Sequence, residues 1–363
     1  MYLVGALFAG VVTTAVSTAV TERSDGGVIR TLMVPASDDW VSRLVNNEVI
    51  EDVEAPTDDE FGPSDGGIQY SADVSDEELA RRYQEDLASL GSLSIGRAEN
   101  GRVINGVQMP PGDAWTVVDP EHSYGTQETI DFLKKAAHIV SSIHPGARLR
   151  VGHISGQRGG LLLPHRSHQS GRDVDIGLFH RTTVDWGAPK ASRELLFDPV
   201  VSWTLIKALV KETDVQFVLL DHQLQQVLRD YALSIGESPA WIDRIFLKPG
   251  SLVRHAPNHH DHFHVRFFAQ RSQELGRRLA LGIQGERVIV HRVEPGDTVG
   301  RLASRYSSSA RLIRSANKLT TIGPLRVGRS VRIPVRTPCM TCPIPPPVVV
   351  PPRRLPPELE PSS

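Results

Sequence analysis

Two short histidine-rich stretches decide how this chain folds: His165-Arg-Ser-His-Gln-Ser-Gly-Arg-Asp-Val-Asp175 and, about ninety residues later, His259-His-Asp-His-Phe-His264. Five of the fourteen histidines fall between His255 and His264, whereas the whole chain has two cysteines. Any metal centre must therefore be built from nitrogen and oxygen ligands. Together the two stretches look like a zinc site.

The second stretch predicts a strand, Asp261 to Phe268, in which polar and apolar residues alternate. Because strand side chains alternate between two faces, the polar row separates from an apolar row that faces the core. Neighbouring histidines on one face are about 7 Å apart, so one can bind a metal while the other contacts its water. The polar row is His262, His264 and Arg266, and the apolar row is Phe263, Val265 and Phe267.

The first stretch contains Gly171, which allows a turn that brings His168 and Asp175 to one point. Asp173 and Asp175 share a strand face, so composition alone leaves open which aspartate binds a metal. A His/Asp/His set leaves one zinc position for water, whose pKa falls towards about 7, as a hydrolase requires. Two alternatives to a zinc site are a polar surface on an exposed strand edge and weak, nonspecific metal scavenging. The interleaved apolar residues Phe263, Val265 and Phe267 indicate a folded strand and argue against scavenging.

Length and composition suit an ordinary soluble protein, with 363 residues and 40% hydrophobic content. The formal net charge of −2 gives no reason to expect a nucleic-acid partner. Acidic residues crowd a stretch rich in Gly, Ser and Pro, which predicts a solvated linker over residues 23–74.

The two ends of the chain have distinct compositions. The apolar run Leu3 to Val20 predicts a secretory signal or an N-terminal anchor in residues 1–22, although no Lys or Arg precedes it. Residues 337–363 are too proline-rich to bury a core and predict an extended, polyproline-like tail. Within it, Cys339 and Cys342 indicate a local disulfide or idle thiols.

Helices and strands are mixed between these ends, which predicts an α+β domain over residues 75–275. A separate module at residues 288–336 has the predicted order βααβ, with Thr298 or Asp297 as the cap of its first helix. The predicted elements of the larger domain are a helix from Ser75 to Leu90, hairpin-like strands between Ser92 and Asp113, a helix capped by Thr126, a strand from Arg148 to His153, a helix from Asp198-Pro199, a buried strand from Val215 to Leu220 and a helix from Gln223 to Leu233.

The two motifs together resemble those of a known family. Ser167-His-Gln-x-Gly-x-Asp-Val-Asp-Ile176, followed by His259-x-x-His-x-His-Val-Arg266, resembles the penicillin-insensitive murein endopeptidases of the LAS metallopeptidase group. Ser92-x-Ser-x-Gly96 with Asn105-Gly106 resembles the opening of the same domain. The resemblance covers about half the chain and implies a LAS-type domain with a central antiparallel sheet.

The resemblance implies a role for each matching residue. His168, Asp175 and His264 would bind zinc, and His262 would be the general base or acid. Asp173 then becomes a group that orients a ligand histidine. His259 and His165 would be further active-site histidines.

Several neighbouring residues match no catalytic role. His255 and His260 are expected to be solvated loop residues. Arg266 or Arg158 could stabilise a developing oxyanion or bind a carboxylate, but an ion pair between Arg266 and a neighbouring carboxylate is the favoured alternative.

The C-terminal module resembles a LysM domain through Val293-x-Pro-Gly-Asp-Thr298, Leu302-Ala303, Asn317 and Leu325-x-x-Gly-x-x-Val-x-Ile-Pro334. Such domains hold N-acetylglucosamine-containing glycans in a shallow groove, with a packing module that binds no ligand as the alternative. The resemblance implies glycan contacts from the loop before the first helix and the loop before the last strand. The expected glycan-binding residues are Gly296, Asp297, Thr298 and Leu325, the last at the end of a loop that begins at Thr320.

Both resemblances imply the same polymer. The expected protein is a secreted or periplasmic, wall-associated zinc endopeptidase that cleaves D-alanyl-diaminopimelate cross-links in peptidoglycan and is held on glycan by LysM. Two alternatives stay open: a D,D- or L,D-carboxypeptidase of the same fold, and a non-catalytic wall-binding protein. The complete set of His168, Asp175, His262 and His264 argues against the second alternative.

Overall fold

The computed structural model describes residues 67–72, 74–182, 196–283, 287–306, 308–319, 324–335, 338–339 and 341–357, and the backbone of 20–22 and 30–32. In a first compact unit, Met1–Glu51, strands β1 (Val20–Glu22) and β2 (Arg30–Leu32) pair antiparallel. The predicted signal or anchor and most of the acidic linker lie outside the described residues. None of the described helices is long and apolar enough to cross a membrane.

The second unit, Asp52–Ser363, contains the remaining elements. Its strands are β3 (Ile68–Gln69), β4 (Leu93–Gly96), β5 (Gly101–Ile104), β6 (Val107–Gln108), β7 (Trp115–Val117), β8 (Tyr124–Gly125), β9 (Leu149–Val151), β10 (Asp173–Gly177), β11 (Val215–Leu220), β12 (Val253–His255), β13 (His262–Phe267), β14 (Arg287–Arg292), β15 (Ser330–Val335) and β16 (Val349–Val350). Its α-helices are α1 (Asp76–Glu85), α2 (Gln127–Ile143), α3 (Pro199–Glu212), α4 (His222–Ser234), α5 (Pro239–Phe246), α6 (Gln270–Gly282), α7 (Val299–Arg305) and α8 (Ala310–Asn317). Short 3-10 helices cover Leu87–Leu90 and Pro120–His122.

A six-stranded sheet in the order β12-β11-β13-β10-β9-β7 forms the centre of the larger domain. The three inner pairs are antiparallel, whereas β11 with β12 and β7 with β9 are parallel. The predicted α+β class is confirmed, but the sheet is mixed rather than wholly antiparallel. Parallel neighbours need a crossover connection, and helices α2 and α4 with α5 provide the two crossovers.

The predicted helix starts are confirmed by their caps. Thr126 accepts a hydrogen bond from the Thr129 backbone N–H, and α2 follows. Asp198 accepts from the N–H groups of Val200 and Val201, with Pro199 at the first helical position of α3. The predicted apolar face of α2 is buried at Ile130, Leu133, Ala137 and Val140.

The predicted helix from Ser75 to Leu90 is two elements. Asp86 leaves the helical conformation at φ −148°, so α1 ends at Glu85 and a 3-10 helix completes the segment. Helices α5 and α6 were not predicted. Helix α6 is polar, and its buried side chains include only two leucines, Leu275 and Leu279, which lie against β4.

The prediction that His255 is a solvated loop residue is wrong. It is the last residue of β12, which pairs in parallel with β11, and it is half-buried. Its ring packs edge-on against His222 at 6.1 Å between centroids. An edge strand that follows a crossover has no local sequence signal, because its partner lies more than thirty residues earlier.

The C-terminal module has the predicted βααβ order, with β14 and β15 antiparallel and Thr298 capping α7. Its core continues into the larger domain. Because one hydrophobic cluster spans both, the module is packed against the domain through α1, β4 and α6. The buried members of this cluster are Leu79, Tyr83, Leu90, Leu93, Ile95, Leu275, Leu279, Ile283, Val293, Val299, Leu302, Tyr306, Ile313, Val331, Ile333 and Val335.

The proline-rich segment is extended, as predicted, but it is docked along the larger domain. Strand β16 pairs antiparallel with β3, and the Trp241 indole N–H donates to the Arg354 carbonyl at 2.7 Å. The Arg353 guanidinium contacts the Asp214 carboxylate at 3.0 Å. Cys339 and Cys342 form the local disulfide that was one of the two predicted alternatives.

Candidate metal centre

Strands β10 and β13 place the main site on one face of the sheet. Their antiparallel register sets Asp175 opposite His264 and Asp173 opposite Arg266. This face is itself covered, since His264 is 5% and Arg266 3% exposed. The alternative of polar surface on an exposed edge is therefore wrong, and the polar row is a buried functional or structural feature.

His168 reaches this face from the loop before β10. Its backbone has φ +65°, a left-handed conformation that non-glycine residues rarely adopt, and Gly171 follows at φ +73°. A side chain at Gly171 would collide with Val103, so glycine is needed for the close turn. The His168 ring Nδ1 lies 3.0 Å from the Ile154 carbonyl oxygen, which fixes the orientation of the ring.

Three potential ligand atoms converge between these elements. His168 Nε2 lies 3.2 Å from Asp175 Oδ1 and 3.2 Å from His264 Nδ1, and His264 Nδ1 lies 3.1 Å from Asp175 Oδ1. Ligands of a tetrahedral zinc ion at 2.0–2.1 Å would be about 3.3 Å apart. The separations and the His/Asp/His chemistry therefore fit a zinc ion with one open position.

The other nitrogen of each histidine has its own partner. His168 Nδ1–H donates to the Ile154 carbonyl, and His264 Nε2 faces Asp173 Oδ2 at 3.4 Å. With this tautomer, inferred from its partner, His168 Nε2 presents a lone pair to the centre. His264 Nδ1 can release its proton to make room for a metal ion, because Nε2 remains bonded to Asp173. Asp173 thus stands where a group that orients a ligand histidine would stand.

Both carboxylates of the centre are held in the ionised form. Burial opposes ionisation of Asp175, yet His168 and His264 hold its pKa well below the usual range. Burial likewise opposes ionisation of Asp173, but Arg266 and His264 hold its pKa well below that range. Burial alone would lower the pKa of His264, but Asp173 and Asp175 raise it to about 9. A metal ion bound at this centre would therefore displace the His264 proton.

Three further histidines surround the convergent atoms. His262 Nε2 lies 3.6 Å from Asp175 Oδ1, and its Nδ1 lies 2.7 Å from an Asp261 carboxylate oxygen. His259 contacts the rings of His262 and His264, at 5.0 and 5.6 Å between centroids. His165 lies on the other side, with Nδ1 3.7 Å from Asp175 Oδ2. The structure thus brings all six predicted residues together.

His165 and His259 are held in the neutral form. Burial and the neighbouring His168 lower the pKa of His165 to about 4. Burial, together with His264 and His262, lowers the pKa of His259 to about 4. At neutral pH these two rings are hydrogen-bonding groups rather than cations.

Comparison with known proteins assigns the larger domain to a family. The model of the family described as penicillin-insensitive murein endopeptidase matches residues 94–278, just over half of the chain. The chain belongs to this family. A LysM domain model matches residues 291–334, so the chain also carries a LysM domain. Both resemblances expected from the sequence are confirmed.

Curated relatives with the same family name extend the match. The penicillin-insensitive murein endopeptidase of Escherichia coli O157:H7 is 27% identical over 191 residues, 48% of this chain and 65% of the relative. That of Klebsiella pneumoniae subsp. pneumoniae is 25% identical over 191 residues, with the same coverage. The chain thus spans 65% of the length of these relatives.

The structure separates the two roles considered for Arg266 in this endopeptidase-family domain. Its guanidinium makes two hydrogen bonds to Asp173, at 2.6 and 2.9 Å, and lies over the Phe217 ring at 4.8 Å. The favoured alternative, an ion pair with a neighbouring carboxylate, is therefore present. A buried guanidinium held in this way is not placed to stabilise an oxyanion. Arg158 is exposed, and its carbonyl accepts from the Val103 N–H.

Sequence reasoning missed three residues beside the site. His153 Nδ1 lies 2.8 Å from His165 Nε2, and His153 Nε2 lies 3.3 Å from Asp119 Oδ2. His122 Nδ1 lies 2.7 Å from the same Asp119 oxygen. The only available signal was Asp119-x-x-His122, and nothing in the sequence pairs it with a histidine thirty-one residues later.

The predicted glycan-binding residues of the LysM domain differ in how far they are exposed. The Asp297 side chain points inward, where it accepts from the Glu294 N–H and pairs with His291. Thr298 uses its hydroxyl to cap α7, and Leu325 is half-buried against the core. Gly296 is exposed at φ +88°. Of the predicted second loop, residues 320–323 lie outside the described parts, so the glycan site stays a prediction.

Proposed function

We propose that this chain is a zinc-dependent peptidoglycan endopeptidase that hydrolyses D-alanyl-diaminopimelate cross-links. The observation that carries the proposal is the convergence of His168 Nε2, Asp175 Oδ1 and His264 Nδ1 on a buried strand face. Membership of the murein endopeptidase family and the LysM domain both support a wall polymer as the substrate.

His168, Asp175 and His264 would hold the ion. When bound there, zinc supplies a Lewis acid that polarises an amide carbonyl and lowers the pKa of water towards about 7. The chain contributes a rigid donor set for that chemistry. Asp173 and the Ile154 carbonyl fix the two imidazole rings, so neither ring has to turn when the ion binds, and His264 gives up only its Nδ1 proton.

His262 is the proton-transfer group. Its Nδ1–H donates to Asp261, which leaves the Nε2 lone pair directed at the centre, 3.6 Å from Asp175 Oδ1. From there Nε2 can take a proton from a water that attacks the amide carbonyl and return it to the leaving amine. Asp261 stabilises the imidazolium that forms between these two steps, as a carboxylate partner does for other catalytic histidines.

His165 and His259 form the walls of the site. Their depressed pKa values keep both rings uncharged, so neither competes with the ion for Asp175. His259 donates Nδ1–H to the Pro257 carbonyl at 2.7 Å, which leaves Nε2 as an acceptor for a substrate N–H. The two rings therefore position a peptide and limit the entry of water.

The LysM domain would hold glycan while the metal centre cuts peptide. Because both parts share one hydrophobic cluster, the glycan-binding face has a fixed orientation relative to the centre. This fixed orientation of the LysM domain relative to the metal centre favours a substrate in which peptide and glycan are covalently joined. We accordingly propose an exported, wall-associated protein, with residues 1–22 as its signal or anchor.

Digestion of purified muropeptide dimers tests the enzymatic proposal. The full chain with zinc should convert cross-linked dimers to monomers, resolved by chromatography and mass spectrometry. Dimers that persist while pentapeptide stems shorten would instead identify a carboxypeptidase. Absence of any cleavage, in a preparation that contains stoichiometric zinc, would identify a non-catalytic wall-binding protein.

Sedimentation with purified sacculi tests the binding proposal separately. The full chain should sediment with sacculi, and soluble N-acetylglucosamine oligomers should release it. The whole chain is used because removal of the LysM domain would expose the shared cluster. Sedimentation that the oligomers do not affect would contradict glycan binding.

A further inference from the structure

A second cluster of potential ligands lies beside the metal centre and shares none of its three convergent atoms. Asp119 Oδ2 lies 2.7 Å from His122 Nδ1 and 3.3 Å from His153 Nε2. One ligand atom from each residue lies within 4.8 Å of the other two. All three side chains are about one-third exposed, so solvent or a ligand can reach them.

The backbone holds this cluster in place. Asp119 uses its other oxygen, Oδ1, to accept the Glu121 N–H at 3.0 Å, which caps the short helix that ends at His122. The His122 carbonyl accepts the N–H groups of Ile154 at 2.8 Å and Ser155 at 3.1 Å. These bonds join the Asp119 turn to the segment that carries His153. The three side chains therefore sit on interlocked backbone rather than on independent loops.

We propose that Asp119, His122 and His153 form a second divalent-cation site. Two imidazoles and one carboxylate suit zinc and its neighbours cobalt and nickel, whereas calcium and magnesium prefer all-oxygen sites. The set has the same composition as His168, Asp175 and His264, and an ion there would replace the proton of the 2.7 Å hydrogen bond between His122 Nδ1 and Asp119 Oδ2. Because it is more exposed, it keeps water as its remaining ligands and binds more weakly than the buried centre.

The second site is connected to the first by two histidines. His153 Nδ1 lies 2.8 Å from His165 Nε2, and His165 Nδ1 lies 3.7 Å from Asp175 Oδ2. An ion on His153 Nε2 fixes the proton of that ring on Nδ1, which then donates to His165. His165 in turn carries its proton on Nδ1 and faces the outer oxygen of Asp175. Occupation of the second site thus sets the tautomer of a histidine at the first.

Metal stoichiometry tests the proposal. The tag-free full chain is dialysed against excess zinc and measured by elemental analysis. Wild type should bind two ions, and His122→Ala and Asp119→Asn should each bind one. Asn keeps the helix cap, so Asp119→Asn removes a ligand charge with little effect on the turn. His222→Ala, an exposed histidine outside both clusters, is the matched control and should retain two ions.

The two sites can be told apart with His264→Ala. This variant should lose the first ion and keep the second. If wild type bound a single ion that His122→Ala lost and His264→Ala kept, the second site would be supported and the proposed function contradicted. A wild type that binds one ion, retained in His122→Ala, would overturn the second site.

Anomalous diffraction at the zinc edge gives the position of the ion directly. Density among Asp119, His122 and His153 is expected, and its absence from zinc-soaked crystals would also overturn the proposal.

Discussion

Two histidine–aspartate networks in this molecule use the same residue types for different purposes. In the LysM domain, His291 Nε2 lies 2.7 Å from Asp297 Oδ2, and the Tyr306 hydroxyl lies 2.8 Å from His291 Nδ1. The Glu294 N–H donates to the same aspartate oxygen at 2.8 Å. Each of these contacts has a proton available between its two atoms. The network is closed and stabilises the fold.

The metal centre differs because three histidines share one carboxylate oxygen. Ring nitrogens of His168, His264 and His262 lie 3.2, 3.1 and 3.6 Å from Asp175 Oδ1. The raised pKa of His264 keeps a proton there at neutral pH, and a metal ion would take the place of that proton. The comparison teaches that several histidines around one carboxylate oxygen, rather than residue type alone, indicate a ligand set.

The sharpest test of the comparison removes one histidine from each network. His264→Ala should lose the zinc ion of the metal centre and at least about ten-thousandfold of the cleavage rate, because Lewis-acid and nucleophile chemistry both depend on that ion. His291→Ala should keep full zinc content and cleave a soluble dimer normally. Elemental analysis and dimer digestion measure both effects. Full zinc content in His264→Ala would refute the ligand assignment.

The next largest effect is expected for proton transfer. His262→Ala should retain its zinc and lose about a hundredfold to ten-thousandfold in rate, the range of a missing general acid or base. The control is His260→Ala, a nearby half-buried histidine, which should cleave at the wild-type rate. If His262→Ala also lost zinc, His262 would be a ligand rather than a base.

The sequence was sufficient for the features that local pattern controls. The alternation from Asp261 to Phe268 predicted which side chains of β13 share a face, because that period is intrinsic to a strand. Thr126 and Asp198 were identified as caps, and Thr298 as one of two candidates, because a cap bonds to a backbone group two or three residues away. The family motif then selected His168, His262 and His264 from the fourteen histidines, and Asp175 rather than Asp173 as the carboxylate ligand.

Features that depend on distant pairing could not be predicted. His153 meets Asp119 because β7 and β9 are parallel neighbours, and no residue spacing records that pairing. The proline-rich segment has no periodicity, so its attachment through Arg353 and Arg354 had no signal. Asp297 matched a glycan-binding loop, but its inward orientation depends on His291, six residues earlier on the opposite side of the turn.

The buried ion pair between Arg266 and Asp173 should contribute to the free energy of unfolding. Arg266→Ala leaves the carboxylate of Asp173 buried without its main partner, and this should lower the free energy of unfolding by about 3–5 kcal/mol. Arg81→Ala breaks an exposed pair with Glu78 and should change the free energy of unfolding far less, because solvent screens an exposed ion pair. Chemical denaturation compares the two variants. Equal losses of unfolding free energy in the two variants would mean that leaving Asp173 unpaired in a buried position costs no more than breaking an exposed ion pair.

The smallest expected effect tests the closed network of the LysM domain through its pH dependence. Burial would raise the pKa of Asp297, but hydrogen bonds from the Glu294 N–H and His291 lower it below the usual value of about 3.9. A carboxyl with a lowered folded pKa contributes stability above its unfolded pKa, and this contribution is lost as pH falls through the folded value. Asp297→Asn should therefore cost about 1–3 kcal/mol near neutral pH, the cost of an impaired buried hydrogen-bond group.

The difference between wild type and Asp297→Asn should shrink as the pH falls below about 4, since the wild-type carboxyl then becomes protonated and uncharged like the amide. Hydrogen exchange of the β15 amides gives the local stability of the domain without requiring the whole chain to unfold in one step. Glu294→Gln, which changes an exposed carboxylate in the same turn, is the control and should show little difference at any pH. A difference between wild type and Asp297→Asn that does not change with pH would show that the network stabilises the fold through shape rather than through the charge of its aspartate.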